Sequence, residues 1–175
     1  DKVVELNPQG EFTADAAYAA VLCYNKSYQQ TYAEDQTEVR GRDEGKKKKK
    51  KGQVEEPVDE SAQYAPKEFS ALESGMLNAY QRYVCFVPDS EDLPQIKYRR
   101  ARIYYETNHF AEASVLFKDI AFNHKDSELS VYAANLYLDS LNVLGTHSSP
   151  KRLSCYDEMN TNIEPLHASY CATPE

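Results

Sequence analysis

Four histidines (His109, His124, His147, His167) and four cysteines (Cys23, Cys85, Cys155, Cys171) are the side chains best suited to nucleophilic, acid–base or metal chemistry in this chain. Their spacing works against it. No HExxH sets two imidazoles on one helix face, no CxxC pairs two thiolates, and no GxxxxGK[ST], GxGxxG or GxSxG occurs. Cys23 and Cys85 fall in apolar stripes at helical spacing, which predicts small core residues rather than nucleophiles. The expectation is a chain that is not an enzyme, with no metal and no cofactor.

The cysteines admit two readings. In one, all four are buried small hydrophobes. In the other, one or two disulfides form, with Cys155–Cys171 the best candidate, because the segment between them contains Pro165 and could fold back. A disulfide would place the protein in an oxidising compartment, periplasmic or envelope-associated. No apolar run reaches the roughly 18 residues that span a bilayer. The opening "DKVVELNPQGEF" has no charged-then-apolar leader pattern, and "KVVEL" resembles the last turns of a helix, as in a fragment or a processed form.

Six consecutive lysines, Lys46–Lys51, suggest nucleic acid at first sight. The surroundings oppose it. Between residues 34 and 60, nine acidic side chains face eight basic ones, and no aromatic interleaves with the lysines to stack on a base. The chain as a whole carries a net charge of −8, which repels nucleic acid and anionic membranes. The run reads as a solvated loop, or as a contact for an acidic partner.

The elements that must position any site are helical. A chain of 175 residues makes one ordinary domain, and 41% apolar residues can fill its core. Fourteen Tyr and six Phe with no Trp suit helix interfaces, where the ring packs and the hydroxyl reaches water. Apolar residues at helical spacing predict helices over 13–33, from Pro66 to 87, from Pro94 through "QIKYRRARIYYE", over "FAEASVLFKDIAFN", and over "LSVYAANLYLDSLNVL" with Gly145 as its C′ residue. One or two short helices are expected after Pro150. Residues 34–66 hold three Gly, two Pro and dense charge without periodicity, as expected of an inserted loop. No strand pattern appears.

Small and aromatic residues recur at a fixed interval. Ala79 and Tyr83 precede Ala113 and Phe117 by 34 residues, and Ala101 and Tyr104 precede Ala134 and Tyr137 by 33. In each case Ala leaves room for a close helix approach, which an aromatic from a neighbour fills. This pattern, clearest in "QIKYRRARIYYETNHFAEASVLFKDIAFNHKDS" with Ala101, Tyr104, Phe110, Ala113 and Phe117, resembles the tetratricopeptide repeat family. His124 and Lys125 stand where the family usually has Pro, whereas Pro8 after "VVELN" lies in the expected place.

The resemblance implies an all-α solenoid of helical hairpins over residues 1–145, split by the charged insertion 34–66, with 146–175 as a C-terminal cap. It also implies a concave face lined by the first helix of each unit, and therefore a scaffold that binds a protein or peptide partner. The positions that map to that face are Tyr98, Arg102 and Tyr105 in one unit and Asn135, Leu138 and Asp139 in the next. Arg and Asn there suit a peptide backbone or carboxylate, and Tyr offers apolar contact. The alternative is an accessory helical domain of a larger enzyme, such as a cell-wall lytic enzyme, with catalysis elsewhere.

Overall fold

The computed structural model describes residues 2–42 and 60–171, with side chains placed over 2–30 and 62–171. All regular structure in these residues is helical, and no strand occurs among them. The helices are α1 (Lys2–Leu6), α2 (Thr13–Arg42), α3 (Glu60–Gln63), α4 (Ala71–Phe86), α5 (Leu93–Glu106), α6 (Phe110–Asn123), α7 (Ser130–Thr146) and α8 (Ser154–Tyr170). The lysine run lies outside the described residues.

Each long helix packs on the next one along the chain: α2 on α4, α4 on α5, α5 on α6, α6 on α7 and α7 on α8. Two apolar clusters result. Val4, Val21, Met76, Tyr80 and Tyr83 join α1, α2 and α4, and Ile96 and Ile103 extend this cluster into α5. Ala101, Phe117, Ile120, Tyr137 and Leu141 join α5, α6 and α7, with Cys155 and Leu166 of α8 at the far side. Helix α5 therefore buries two faces, Ile96 and Ile103 on one and Ala101 on the other, while Tyr104 touches both clusters.

The small residues sit where the close approaches are. Of the recurring positions, Ala79, Tyr83, Ala101, Ala113, Phe117, Ala134 and Tyr137 are buried, and Tyr104 is half-buried against both clusters. A methyl group at these contacts lets helix backbones approach, and the rings fill the remaining volume.

Several boundaries differ from the sequence expectation. Helix α2 does not stop at Ala33 but runs to Arg42. The sequence of 34–42 lacks an apolar stripe, yet Glu, Gln and Arg are good helix formers and the backbone continues the helix through it. Helix α4 begins at Ala71 instead of near Pro66, because Ser70 and Glu73 form a reciprocal capping box. Within the expected loop, residues 34–42 continue α2 and residues 60–63 form α3, while residues 43–59 lie outside the described residues.

Gly145 is not a C′ residue. It is buried inside α7, and the ring of Tyr156 occupies the space where a Cβ would be. Beyond Pro150 the chain forms one helix, α8, which contains Pro165 in its interior. Cys155 and Cys171 consequently lie at opposite ends of one rod. At about 1.5 Å rise per residue they are roughly 24 Å apart along its axis, against the ~7 Å limit for Cα atoms of a disulfide. They do not pair, and all four cysteines are free thiols. Cys155 alone is buried, whereas Cys23, Cys85 and Cys171 are exposed, so the core placement of Cys23 and Cys85 is corrected too. With the disulfide gone, the cysteines no longer support a periplasmic or envelope placement. Among the described residues no helix is long and apolar enough to cross a membrane.

Candidate functional site

A line of polar and aromatic side chains runs across α2, α5 and α7 along one edge of the stack. Tyr28 of α2 donates its hydroxyl to Glu106 Oε2 of α5 at 3.4 Å. Glu106 also accepts from Arg102 Nε, one turn earlier on α5, at 3.0 Å and forms an ion pair with it. Tyr105 of α5 donates its hydroxyl to Asp139 of α7. Contacts thus link α2 to α5 and α5 to α7.

Helical geometry explains the alignment. Positions 98, 102 and 105 are spaced by four and three residues, so they share a face of α5. Tyr98 turns its ring edgewise to Phe117 at 5.6 Å, and Tyr105 meets Phe110 edge-on at 5.4 Å and 90°. Their rings are anchored on the core and their polar ends reach the edge.

The structure therefore brings four of the six expected positions, Tyr98, Arg102, Tyr105 and Asp139, into one row. Asn135 is exposed on α7, one turn before Asp139, and lines neither of the two depressions in this edge. Leu138 is half-buried and packs against the core instead of standing clear of it.

The first depression, about 300 Å³, lies between α2, α4 and α5 and is lined by Asn25, Tyr28, Tyr98, Arg99 and Arg102. The second, about 560 Å³, lies between the ends of α5 and α7 and is walled by Tyr64, Tyr105, Phe110, Asp139 and His147. Arg99 and Tyr64 were not anticipated. Arg99 shares a helix face with Arg102 and Glu106, a signal readable at i, i+3 and i+7. Tyr64 stood in a stretch whose composition read as loop, and nothing local marked it.

Tyr64 belongs to a segment that crosses the turn between α5 and α6. Asn108, at a left-handed φ of 64° that Asn tolerates, donates Nδ2 to the carbonyls of Gln63 and Ala65 at 2.9 and 3.0 Å. Lys67 N–H donates to Thr107 O at 2.9 Å, and His109 Nε2 donates to Lys67 O at 2.9 Å. Phe69 stacks on His109, and Tyr64 stacks on His147, each with ring centroids 4.4 Å apart. These contacts fix one wall of the second depression.

Charge in the row is mostly compensated internally. Burial works against the Arg102 charge, but the hydrogen bond and charge of Glu106 outweigh it and raise the guanidinium pKa. Burial first, and then the Asp139 carboxylate, push the Tyr105 hydroxyl up to about 12, so it stays a donor at neutral pH. Elsewhere on α5, Lys97 Nζ contacts Asp119 at 2.7 Å and His124 Nε2 at 3.0 Å. Burial and the Lys97 charge hold His124 below its ordinary value.

No protein-family model, curated protein or solved structure matches the chain.

Proposed function

We propose that this chain is a tetratricopeptide-like solenoid whose edge formed by α2, α5 and α7 is the concave docking face for a partner protein or peptide. The observation that carries this reading is the linked row Tyr28–Glu106–Arg102 and Tyr105–Asp139. Side chains from three helices far apart in sequence converge there, their rings packed against the core and their polar ends outside it. A row of anchored rings with polar tips presents a surface that is already ordered, so a partner binds it with little further loss of side-chain entropy.

Tyr98, Arg102, Tyr105, Asn135 and Asp139 are the residues assigned to partner contact. The test is quantitative binding. A partner captured from the native source is purified and titrated against the wild-type chain and the Arg102→Ala and Asn135→Ala variants. Saturable binding that weakens about tenfold in Arg102→Ala, with an unchanged circular dichroism spectrum, supports the docking face. Equal affinity for both variants and the wild type removes it.

A further inference from the structure

The second depression differs in chemistry from the rest of the edge. Phe110, only 6% exposed, forms its floor. The Tyr105 ring stands edge-on to Phe110 at 5.4 Å, and the Tyr64 ring tilts against it at 6.4 Å and 55°. Three aromatic rings thus converge on about 560 Å³ of open space. Two carboxylates, Glu106 and Asp139, stand beside it.

These two carboxylates are not equivalent. Glu106 is neutralised by Arg102. Asp139 is exposed and accepts the Tyr105 hydroxyl, and no lysine or arginine among the described residues pairs with it. Aromatic faces carry negative quadrupole charge, so they attract cations and repel anions. An uncompensated carboxylate beside them adds attraction of the same sign. Asn108, Asn142 and Gln63 add uncharged hydrogen-bonding groups to the lining, beside Val143 and the stacked His147.

We infer that this depression receives a lysine or arginine side chain from a basic segment of a partner protein, with Asp139 as its counter-ion and Tyr64, Tyr105 and Phe110 as its walls and floor. The inference rests on the docking face proposed above and narrows the partner to one carrying positive charge there. Arg102, expected to recognise a carboxylate, is instead engaged by Glu106 within its own helix. The acidic net charge of the chain, −8, favours the approach of such a segment.

The probe is n-butylammonium, which reproduces the end of a lysine side chain, with butyrate as its anionic counterpart. Each is titrated into the full 175-residue chain, labelled with nitrogen-15, at low salt. Butylammonium is expected to give saturable shifts confined to the ends of α5 and α7 and to residues 63–65, and butyrate none there. Asp139→Asn is expected to weaken the site about fivefold or more, and Tyr64→Ala about two- to fivefold. The dispersion of each variant's spectrum shows that it folds. The inference is overturned if butyrate shifts the same residues as strongly, or if both variants bind butylammonium as the wild type does. Partner docking that is sensitive to Arg102→Ala, with no butylammonium site, removes this inference and leaves the scaffold reading. A butylammonium site in a chain with no groove-dependent partner does the reverse.

Discussion

Gly145 of α7 lies against the ring of Tyr156 of α8, so that a Cβ added at Gly145 would stand 2.9 Å from Cζ and 3.0 Å from Cε2. The Tyr156 hydroxyl is in turn 2.7 Å from Thr146 Oγ1, which holds the ring in place. In an ordinary helix interior, Gly→Ala stabilises by about 1 kcal/mol. Here the ring must move and lose its hydrogen bond first. Gly145→Ala is expected to destabilise the chain by about 1 kcal/mol, whereas in a Tyr156→Ala background the same change stabilises it. Urea midpoints for the four species measure this reversal of sign. The same sign in both backgrounds would falsify the contact.

Ser70 starts α4. Its side chain accepts from Glu73 N–H at 3.2 Å, while Glu73 Oε2 accepts from Ser70 N–H at 2.8 Å. Ser70→Ala leaves an N–H of the first turn without its partner and is expected to cost about 1 kcal/mol. Ser70→Asp retains an acceptor and is expected to cost much less. Thermal unfolding monitored at 222 nm separates the two, and equal losses would count against the capping box.

His124 makes stability depend on pH. Burial and Lys97 depress its folded pKa below the ordinary 6.5, while Asp119 opposes them weakly. A depressed folded pKa means the unfolded chain takes up the proton first. The contribution is therefore fully present above 6.5 and is lost as pH falls through the folded value below it. Asp119 also has a lowered pKa, despite burial, because Lys97 and Asn123 donate to it, and its contribution is lost at still more acid pH. His124→Gln is expected to flatten the wild-type loss of stability just below 6.5. Parallel profiles for variant and wild type would show that the ring does not sense Lys97 in this way.

Thiol chemistry tests the corrected placement of the cysteines. All four are free, and burial of Cys155 raises its thiol pKa. Under denaturing, non-reducing conditions four thiols should titrate. In the native protein Cys23, Cys85 and Cys171 should react quickly with a neutral disulfide reagent and Cys155 slowly, because the thiolate is the attacking species and access is limited. A count of two in the denatured chain would show one disulfide and overturn the assignment of four free thiols.

Burial periodicity was legible in the sequence because it is a local property. The 3.6-residue spacing of Ala101, Tyr104, Ala134 and Tyr137 announced helices with a small-and-aromatic contact face, and those side chains are in or against the core. Helix ends were less legible. Ala33 and Pro66 looked like boundaries from composition, but side-chain capping at Ser70 and backbone bonding through residues 34–42 decided the ends.

The candidate site divides in the same way. Tyr98, Arg102 and Tyr105 could be grouped from spacing alone, since one helix carries all three. Their partners could not. That Arg102 is occupied by Glu106 is an i, i+4 relation visible in sequence, but Tyr105 meeting Asp139, and Tyr64 closing the second depression, join residues 34 and 41 positions apart.

By itself, the sequence determined that the described residues are all-helical, most of the buried positions of α4 to α7, and which side chains of α5 stand together. These follow from periodicity within single helices. Only the tertiary structure decided that Gly145 makes room for Tyr156, that Pro165 does not turn the chain back, and that Asp139 is left as the uncompensated charge beside three rings. Each of these depends on how separate helices approach, which side-chain volume and hydrogen bonding settle between residues far apart along the chain.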